Sequence, residues 1–197
     1  MWYWIFRTGA VITLKLFFRL NVRGLKNLPS KNNFIVVSNH ASFLDPFIIA
    51  AAIPKKIHCI SSRFLYGIPW LKWSLERLEA LPTGGSSQKA IDYLSKNEVV
   101  GLFPEGGCSR DGKLREFRNG AALLALKTGR PIVPCAILGS FGVLPLRARF
   151  PKFLHIKVKI GRPIFLLKSF DDDVDELRLQ EGIFKIRNTI EEMLNAG

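Results

Sequence analysis

The segment Ser38-Asn39-His40-Ala41-Ser42-Phe43-Leu44-Asp45-Pro46 places an imidazole and a carboxylate five positions apart. Histidine has an unperturbed pKa of ~6.5, which suits proton transfer near neutrality. A base of this kind needs a partner that fixes its tautomer and stabilises the imidazolium, and a carboxylate does both. A turn leading into a helix brings Asp45 back to the ring, so His40 and Asp45 are the candidate catalytic pair. Ser42 does not complete a hydrolase triad. Three members within so short a stretch do not take up triad geometry, and the chain has no Gly-x-Ser-x-Gly elbow. His58 and His155 lie alone in apolar stretches and read as structural.

The elements around this pair decide whether it can be presented. Phe34–Ser38 is a compact apolar run of strand type, and Asn39–Asp45 opens a helix reaching about Ile53. Functional groups are commonly presented where a strand ends and a helix begins. Leu20–Leu28, Lys56–Ile60, Val99–Phe103, Ile132–Leu138 and His155–Ile160 are further strands. Helices are expected over residues 64–77 with a break at Pro69, from Ser86 or Ser87 to Ser95, and over 118–129 ending at Gly129. Leu179, Ile183, Ile186, Ile190 and Met193 recur at helical spacing, and the acid run Asp171–Asp173 is expected to cap that helix. Alternating strands and helices predict an α/β fold, with a mostly parallel sheet flanked by helices. An N-terminal amphipathic membrane-interface helix over residues 1–20 precedes the α/β domain, residues 21–197.

Composition narrows the setting. The chain has 197 residues, 48% of them hydrophobic, which supports a sizeable core and argues against disorder. Its net charge is +13, unevenly spread: residues 1–60 carry eight Lys or Arg against one acid, Asp45. Residues 141–170 carry seven basic residues and no acid. Such a surface attracts anionic headgroups, phosphorylated substrates, nucleic acid or acidic carrier proteins, and charge alone does not choose. No nucleic-acid-binding motif is visible, so no nucleic-acid partner is expected. Cys59, Cys108 and Cys135 are far apart and lack zinc spacing, which predicts reduced thiols and no metal. In residues 1–20 the longest uncharged run, Thr8 to Leu14, is too short to span a bilayer, which takes ~20 apolar residues. A basic n-region and a small-residue cleavage site are missing, so no signal peptide is expected. Arg7, Lys15 and Arg19 fall within an arc of about 120° on a helix, with Trp2, Tyr3 and Trp4 at one end. That pattern predicts a helix lying in the membrane interface with its basic residues toward headgroups. The competing reading is an ordinary amphipathic helix packed on the domain.

The motifs resemble those of the glycerophospholipid acyltransferases, typified by 1-acylglycerol-3-phosphate acyltransferase. The family's Asn-His-x4-Asp stands here as Asn39, His40 and Asp45. Its Phe-Pro-Glu-Gly stands as Phe103-Pro104-Glu105-Gly106, and Pro131-Ile132-Val133-Pro134 resembles a third block. The resemblance covers roughly residues 20–165 and implies the following chemistry. His40 takes the proton of an acceptor hydroxyl, and the oxygen attacks an acyl thioester. The thiol of CoA or acyl carrier protein leaves, with no metal, cofactor or covalent enzyme intermediate. On this reading Cys108 needs no nucleophilic role, although it follows a Gly-Gly turn with basic neighbours. Glu105 belongs to the acceptor site, and amides near Gly106 and Gly107 help hold anionic groups.

The pattern departs from the family at its cations. Gly107 and Cys108 replace the Thr and Arg that often follow Phe-Pro-Glu-Gly, and that Arg is attributed to the acceptor phosphate. A second family Arg is missing near Gly85. Losing a bidentate Arg is not a conservative change. Arg63, Arg110, Lys113 and Arg118 are the candidate replacements, with Asn39 beside the base as a further substrate-binding candidate. Arg63 stands where the family often carries a lysine ahead of an Ile-Pro like Ile68-Pro69. Two acceptors stay open: 1-acylglycerol-3-phosphate, giving phosphatidic acid in phospholipid biosynthesis, or another lysolipid or hydroxylated lipid. A reading of a different class, a non-catalytic basic membrane-binding protein, explains the charge but not the two motifs. The expected setting is peripheral, on the cytoplasmic face of an anionic membrane.

Overall fold

A computed structural model describes residues 1–84, 87–146, 148–168 and 174–196. Numbered in chain order, the strands are β1 (Asn21–Arg23), β2 (Ile35–Ser38), β3 (Ile57–Ser61), β4 (Leu81–Pro82), β5 (Val99–Leu102), β6 (Ile132–Leu138) and β7 (Lys157–Ile160). They form one sheet in the order β1-β7-β6-β2-β5-β3-β4. Every neighbouring pair is parallel except β6 and β7. The sheet is therefore mostly parallel, and β2 lies at its centre. Every residue of β2 and β5 is buried. Central parallel strands are covered on both faces, which is why they read as unbroken apolar runs.

The helices are α1 (Trp2–Phe18), α2 (Asp45–Ala52), α3 (Pro69–Arg77), α4 (Ser87–Ser95), α5 (Gly120–Thr128), α6 (Ser140–Val143) and α7 (Glu176–Asn195). Leu14 and Phe18 of α1 join Ile48 and Ile49 of α2 against Val36, Val133 and Val158 on one face. Leu94 of α4, Leu124 of α5, and Ile186 and Ile190 of α7 meet Ile35, Val37 and Val100 on the other. Successive β2 side chains thus feed opposite cores, as a period of two requires. In β5 the backbone is approached so closely that a Cβ on Gly101 would lie 2.7 Å from Ile57 Cγ2.

Several expected elements shift. The strand over Leu20–Leu28 is only β1, because Gly24 turns the chain at φ 87° into a 3-10 turn, Leu25–Asn27. The helix expected from Asn39 begins at Asp45, because the residues before it form a loop around the Asp45 carboxylate. Residues 64–77 divide at Pro69 into a 3-10 turn, Arg63–Gly67, and α3. The strand expected from His155 starts at Lys157, and β4 and α6 have no counterpart in the sequence reading. Asp171–Asp173 and Ser86 lie outside the described residues. The observed cap of α7 is Asp175, whose side chain accepts from the Leu177 amide at 3.1 Å.

The N-terminal helix resolves into two faces. Tyr3, Leu14 and Phe18 are buried, each such side chain contributing about 1.5–3 kcal/mol. The Tyr3 hydroxyl donates to the Lys55 carbonyl and accepts from the Ile57 amide, both at 3.1 Å. The sequence pattern predicts that Arg7 faces headgroups. Its guanidinium instead donates to the carbonyls of Ala51 and Ile53 at 3.2 and 3.3 Å, satisfying the end of α2. Ile5, Ile12, Leu16 and Phe17 remain exposed on the helix.

Candidate active site

Register brings the two motifs together. Val37 pairs with Leu102 across β2 and β5, so His40 and Glu105 leave adjacent strands at the same carboxyl edge of the sheet. Ser38 pairs with Cys135 on the other side of β2. Asn39 then fastens the end of β2 to β6: its side-chain amide donates to the Ile137 carbonyl at 3.0 Å. Its carbonyl oxygen accepts from the Ile137 amide at 2.8 Å. Both polar ends engage backbone, so Asn39 fixes the end of β2 beside its neighbour His40.

Asp45 is fully buried. Its Oδ2 lies 2.9 Å from His40 Nδ1 and accepts the Ala41 and Ser42 amides, each at 2.7 Å. A carboxylate only accepts, so the ring proton sits on Nδ1 and the Nε2 lone pair is left able to accept a proton. The loop order explains this: the chain turns so tightly after His40 that two successive amides point at the carboxylate three and four residues on. Phe103 stacks against the imidazole with centroids 4.4 Å apart, holding the ring between an apolar wall and a charge.

Glu105 secures the same loop from β5. One oxygen accepts the His40 amide at 2.7 Å and the other accepts the Arg115 amide at 3.1 Å. Burial pushes its carboxyl above the ordinary carboxylate range, opposed by the two amide donors and the charges of His40 and Arg115. The Ser109 amide closes the clasp on the His40 carbonyl at 2.7 Å. Glu105 thus holds the backbone of the His40 loop, one amide bonded to each carboxylate oxygen.

Cys108 faces the imidazole directly, its Sγ 3.1 Å from His40 Nε2. Burial, with Asp45 and Glu105 nearby, pushes its thiol up to about 12. It is a neutral S–H donor near neutral pH and not a thiolate nucleophile. Burial is the larger cause of that rise, and the two carboxylates add to it.

Gly106 occupies the turn at φ 71°, and a Cβ there would collide with the Arg118 guanidinium. The Gly106 amide is used within the turn, on the Phe103 carbonyl. Among the described residues the Gly107 and Cys108 amides make no hydrogen bond, so the open donors lie one residue later than expected. The Arg118 amide donates to the Pro104 carbonyl at 2.8 Å, folding residues 113–118 back over the turn. Arg110 and Lys113 are exposed on the loop ordered by Asp111. Arg63 begins the 3-10 turn after β3, its amide on the Thr83 hydroxyl, at the same sheet edge but two strands from β2. Gly85 lies outside the described residues. The sequence reading passed over three contributors: Phe103 as a ring wall, Ser109 as a clasp, and Arg115. The two arginines three apart in Lys113-Leu114-Arg115-Glu116-Phe117-Arg118 were the available signal for the last. No group of three potential metal ligands exists among the described residues.

The family model described as Acyltransferase matches residues 19–138, which hold both motifs and their strands. The chain belongs to the acyltransferase family. This acyltransferase-family chain is 32% identical over 172 residues to the chloroplastic 1-acyl-sn-glycerol-3-phosphate acyltransferase of Arabidopsis thaliana. That alignment covers 82% of the chain and 48% of the relative. It is 26% identical over 182 residues to the 1-acyl-sn-glycerol-3-phosphate acyltransferase of Borreliella burgdorferi, covering 87% and 73%. The chain spans about half the length of the plant relatives it matches. Its fold is similar to the crystal structure of the 1-acyl-sn-glycerophosphate (LPA) acyltransferase PlsC from Thermotoga maritima. The TM-score is 0.79 at 26% identity, covering 97% of this chain and 79% of that one.

Proposed function

We propose that the chain transfers a fatty acyl group from acyl-CoA or acyl-acyl carrier protein to the hydroxyl of a lysophospholipid. The acceptor is 1-acylglycerol-3-phosphate and the product phosphatidic acid. The observation that carries this reading is the lone pair of His40 Nε2, left free by the Asp45 contact at Nδ1, 2.9 Å, and facing the Cys108 thiol. The acceptor hydroxyl displaces the Cys108 thiol from Nε2 and gives its proton to the ring. Its oxygen bonds to the thioester carbonyl carbon, whose oxygen becomes the oxyanion. The Gly107 and Cys108 amides are the available donors to that charge. Collapse breaks the carbon–sulfur bond, and the imidazolium returns the proton to the departing thiolate. The base contributes typically ~10²–10⁴-fold, and each well-placed oxyanion donor ~10²–10³-fold.

The surface around the site supports a lipid acceptor. The Ser42 hydroxyl donates to the Leu144 carbonyl, the Lys152 amide to Val143 and the Ile156 amide to Phe18. Catalytic loop, residues 143–156 and the end of α1 are thereby joined. Phe17 and Phe18 meet Phe153 at 5.8 and 5.9 Å. Phe150, Phe153, Phe17, Leu16, Phe43 and Phe47 are all exposed large side chains. Exposed apolar side chains together with the exposed cations Lys15, Arg149 and Lys152 suit peripheral seating on an anionic membrane, on its cytoplasmic face. No helix among the described residues is long and apolar enough to cross a membrane.

The second acceptor reading keeps one specific support, Cys108 standing where the resemblance expects an arginine. An acceptor panel with one labelled acyl donor tests both. Fastest turnover on 1-acylglycerol-3-phosphate supports the first reading. Preference for a lysolipid with a larger headgroup, or one without phosphate, overturns it.

A further inference from the structure

One margin of the sheet is basic on a single face. Val22 of β1 and Val158 of β7 pair in register, and both turn into the core that α1 covers. By the period of two, Asn21, Arg23, Lys157 and Lys159 turn to the opposite face, the one that carries α7. Lys159 follows this direction, its ammonium donating to the Met193 carbonyl of α7 at 2.9 Å. Arg23 stands beside Lys159 in the register, and Lys26 is exposed on the turn that Asn27 pins to the Ile160 carbonyl at 2.8 Å. Among the described residues no ion pair joins Arg23, Lys26, Lys157 or Lys159 to an acid. Of the two acids beside Met193, Glu191 pairs with Arg187 at 2.9 Å, which leaves Glu192 against these cations. Charges often guard an edge strand from unwanted pairing, but Lys157 and Lys159 lie on β7, which β1 and β6 already flank.

This face lies level with the catalytic loop. Ile160 pairs with Cys135, and Cys135 with Ser38, so Lys159 and Lys157 stand beyond the last residue of β2, at the height of the loop that holds His40. Sideways, β7 is two strands from β2 and β1 is three, a gap of roughly 10–14 Å at ~4.8 Å per strand. Resting on the acyl-transfer reading, we propose that this face of β1 and β7 docks an acidic, helical carrier protein that delivers the acyl thioester to His40. A carrier protein holds its thioester on a long flexible arm, so it docks to one side of the imidazole and still reaches it. The spacing suits a helix: Lys157 and Lys159 are ~6.6 Å apart along β7 and Arg23 is one strand over, while carboxylates three or four apart on a helix recur every ~5–6 Å. The phosphates of CoA are concentrated on one nucleotide, whereas these cations are spread over two strands and a turn. A bilayer suits the face less well. The exposed Ile12 and Leu16 belong to α1, on the other face of the sheet, and a flat surface does not seat both faces at once.

The test compares wild type with a variant carrying Arg23→Glu and Lys157→Glu, which leaves Lys159 and its α7 contact in place. Steady-state constants are measured on 1-acylglycerol-3-phosphate with acyl-acyl carrier protein and with acyl-CoA of the same chain, and binding to anionic vesicles is followed in parallel. Arg23 is exposed and Lys157 half-buried, so the fold should hold, and a melting curve checks it. If it does not hold, Arg23→Gln with Lys157→Gln makes the same comparison. The expected result is a KM for acyl-acyl carrier protein raised about tenfold or more, with a weaker dependence on ionic strength than wild type. The KM for acyl-CoA, the acceptor KM and vesicle binding stay unchanged. An unchanged carrier-protein KM overturns the proposal. So does an equal rise for both donors, since the group recognised would then be one that both carry. A fall in vesicle binding with no difference between donors assigns the face to lipid and overturns it too. Wild type that turns over acyl-CoA but not acyl-acyl carrier protein overturns the docking while the acyl-transfer reading stands. Wild type that uses neither donor overturns that reading, and the docking with it.

Discussion

The sulfur of Cys108 and the ring nitrogen of His40 are close enough that any acceptor must part them. A thiol is a weak donor, so little is lost when a hydroxyl takes its place. Cys108→Ala should therefore keep acyl transfer within about tenfold of wild type, a net hydrogen bond being worth about 0.5–1.5 kcal/mol. Complete inactivity of that variant with an intact fold would show that the thiol is a nucleophile after all. Glu105 supports a second expectation at this scale. Burial raises its carboxyl, so the folded protein holds a proton that the unfolded chain releases first. Its contribution is fully present below the unfolded value, ~4.3, and is lost as pH rises through the folded one. The destabilisation of Glu105→Gln relative to wild type should shrink as pH climbs above about 4, measured by urea midpoints. A gap that widens with pH contradicts a raised carboxyl. Residue types and spacing made His40 and Asp45 legible in the sequence. The positioning roles of Asn39 and Glu105 were not, because one-dimensional spacing does not reveal which backbone amides a side chain will meet.

Among elements, the central strands were legible because burial on both faces demands unbroken apolar runs. Short edge pieces such as β4 were not, since two residues carry no period. Helix α2 starts later than the expected Asn39 because the residues before Asp45 form a loop whose Ala41 and Ser42 amides meet its carboxylate. The turn after β5 is the element most exposed to test. Gly106→Ala places a Cβ at φ 71°, costing about 1–2 kcal/mol, and displaces Arg118. The melting temperature should fall by several degrees and activity by more than the residual folded fraction explains. Wild-type values for both would mean the turn has slack that the geometry denies. Helix α1 offers a complementary check. Tyr3→Phe leaves the Ile57 amide and the Lys55 carbonyl without the hydroxyl, at about 1–3 kcal/mol. That should lower stability in the absence of any lipid. No change would place α1 outside the cooperative unit.

At the scale of the whole molecule, a chain of net charge +13 carries exposed apolar side chains on α1. The sequence reading set a membrane helix against a helix packed on the domain, and α1 has a face suited to each. Deleting it would remove Phe18 and Leu14 from the core, so point substitutions are the cleaner probe. Ile12→Glu with Leu16→Glu changes only exposed positions. Partitioning onto anionic vesicles should drop tenfold or more, since burying each such side chain is worth about 1.5–3 kcal/mol, while the melting curve stays put. Equal vesicle binding would remove α1 from the lipid surface. The central claim is that His40 is the base for acyl transfer to a hydroxyl. The most direct measurement compares wild type with His40→Ala, using labelled acyl donor and 1-acylglycerol-3-phosphate, with vesicle binding followed in parallel. Wild type should form the diacyl product, and His40→Ala should lose about 10²–10⁴-fold or more in kcat while binding vesicles as before. Equal turnover by the two proteins would contradict it.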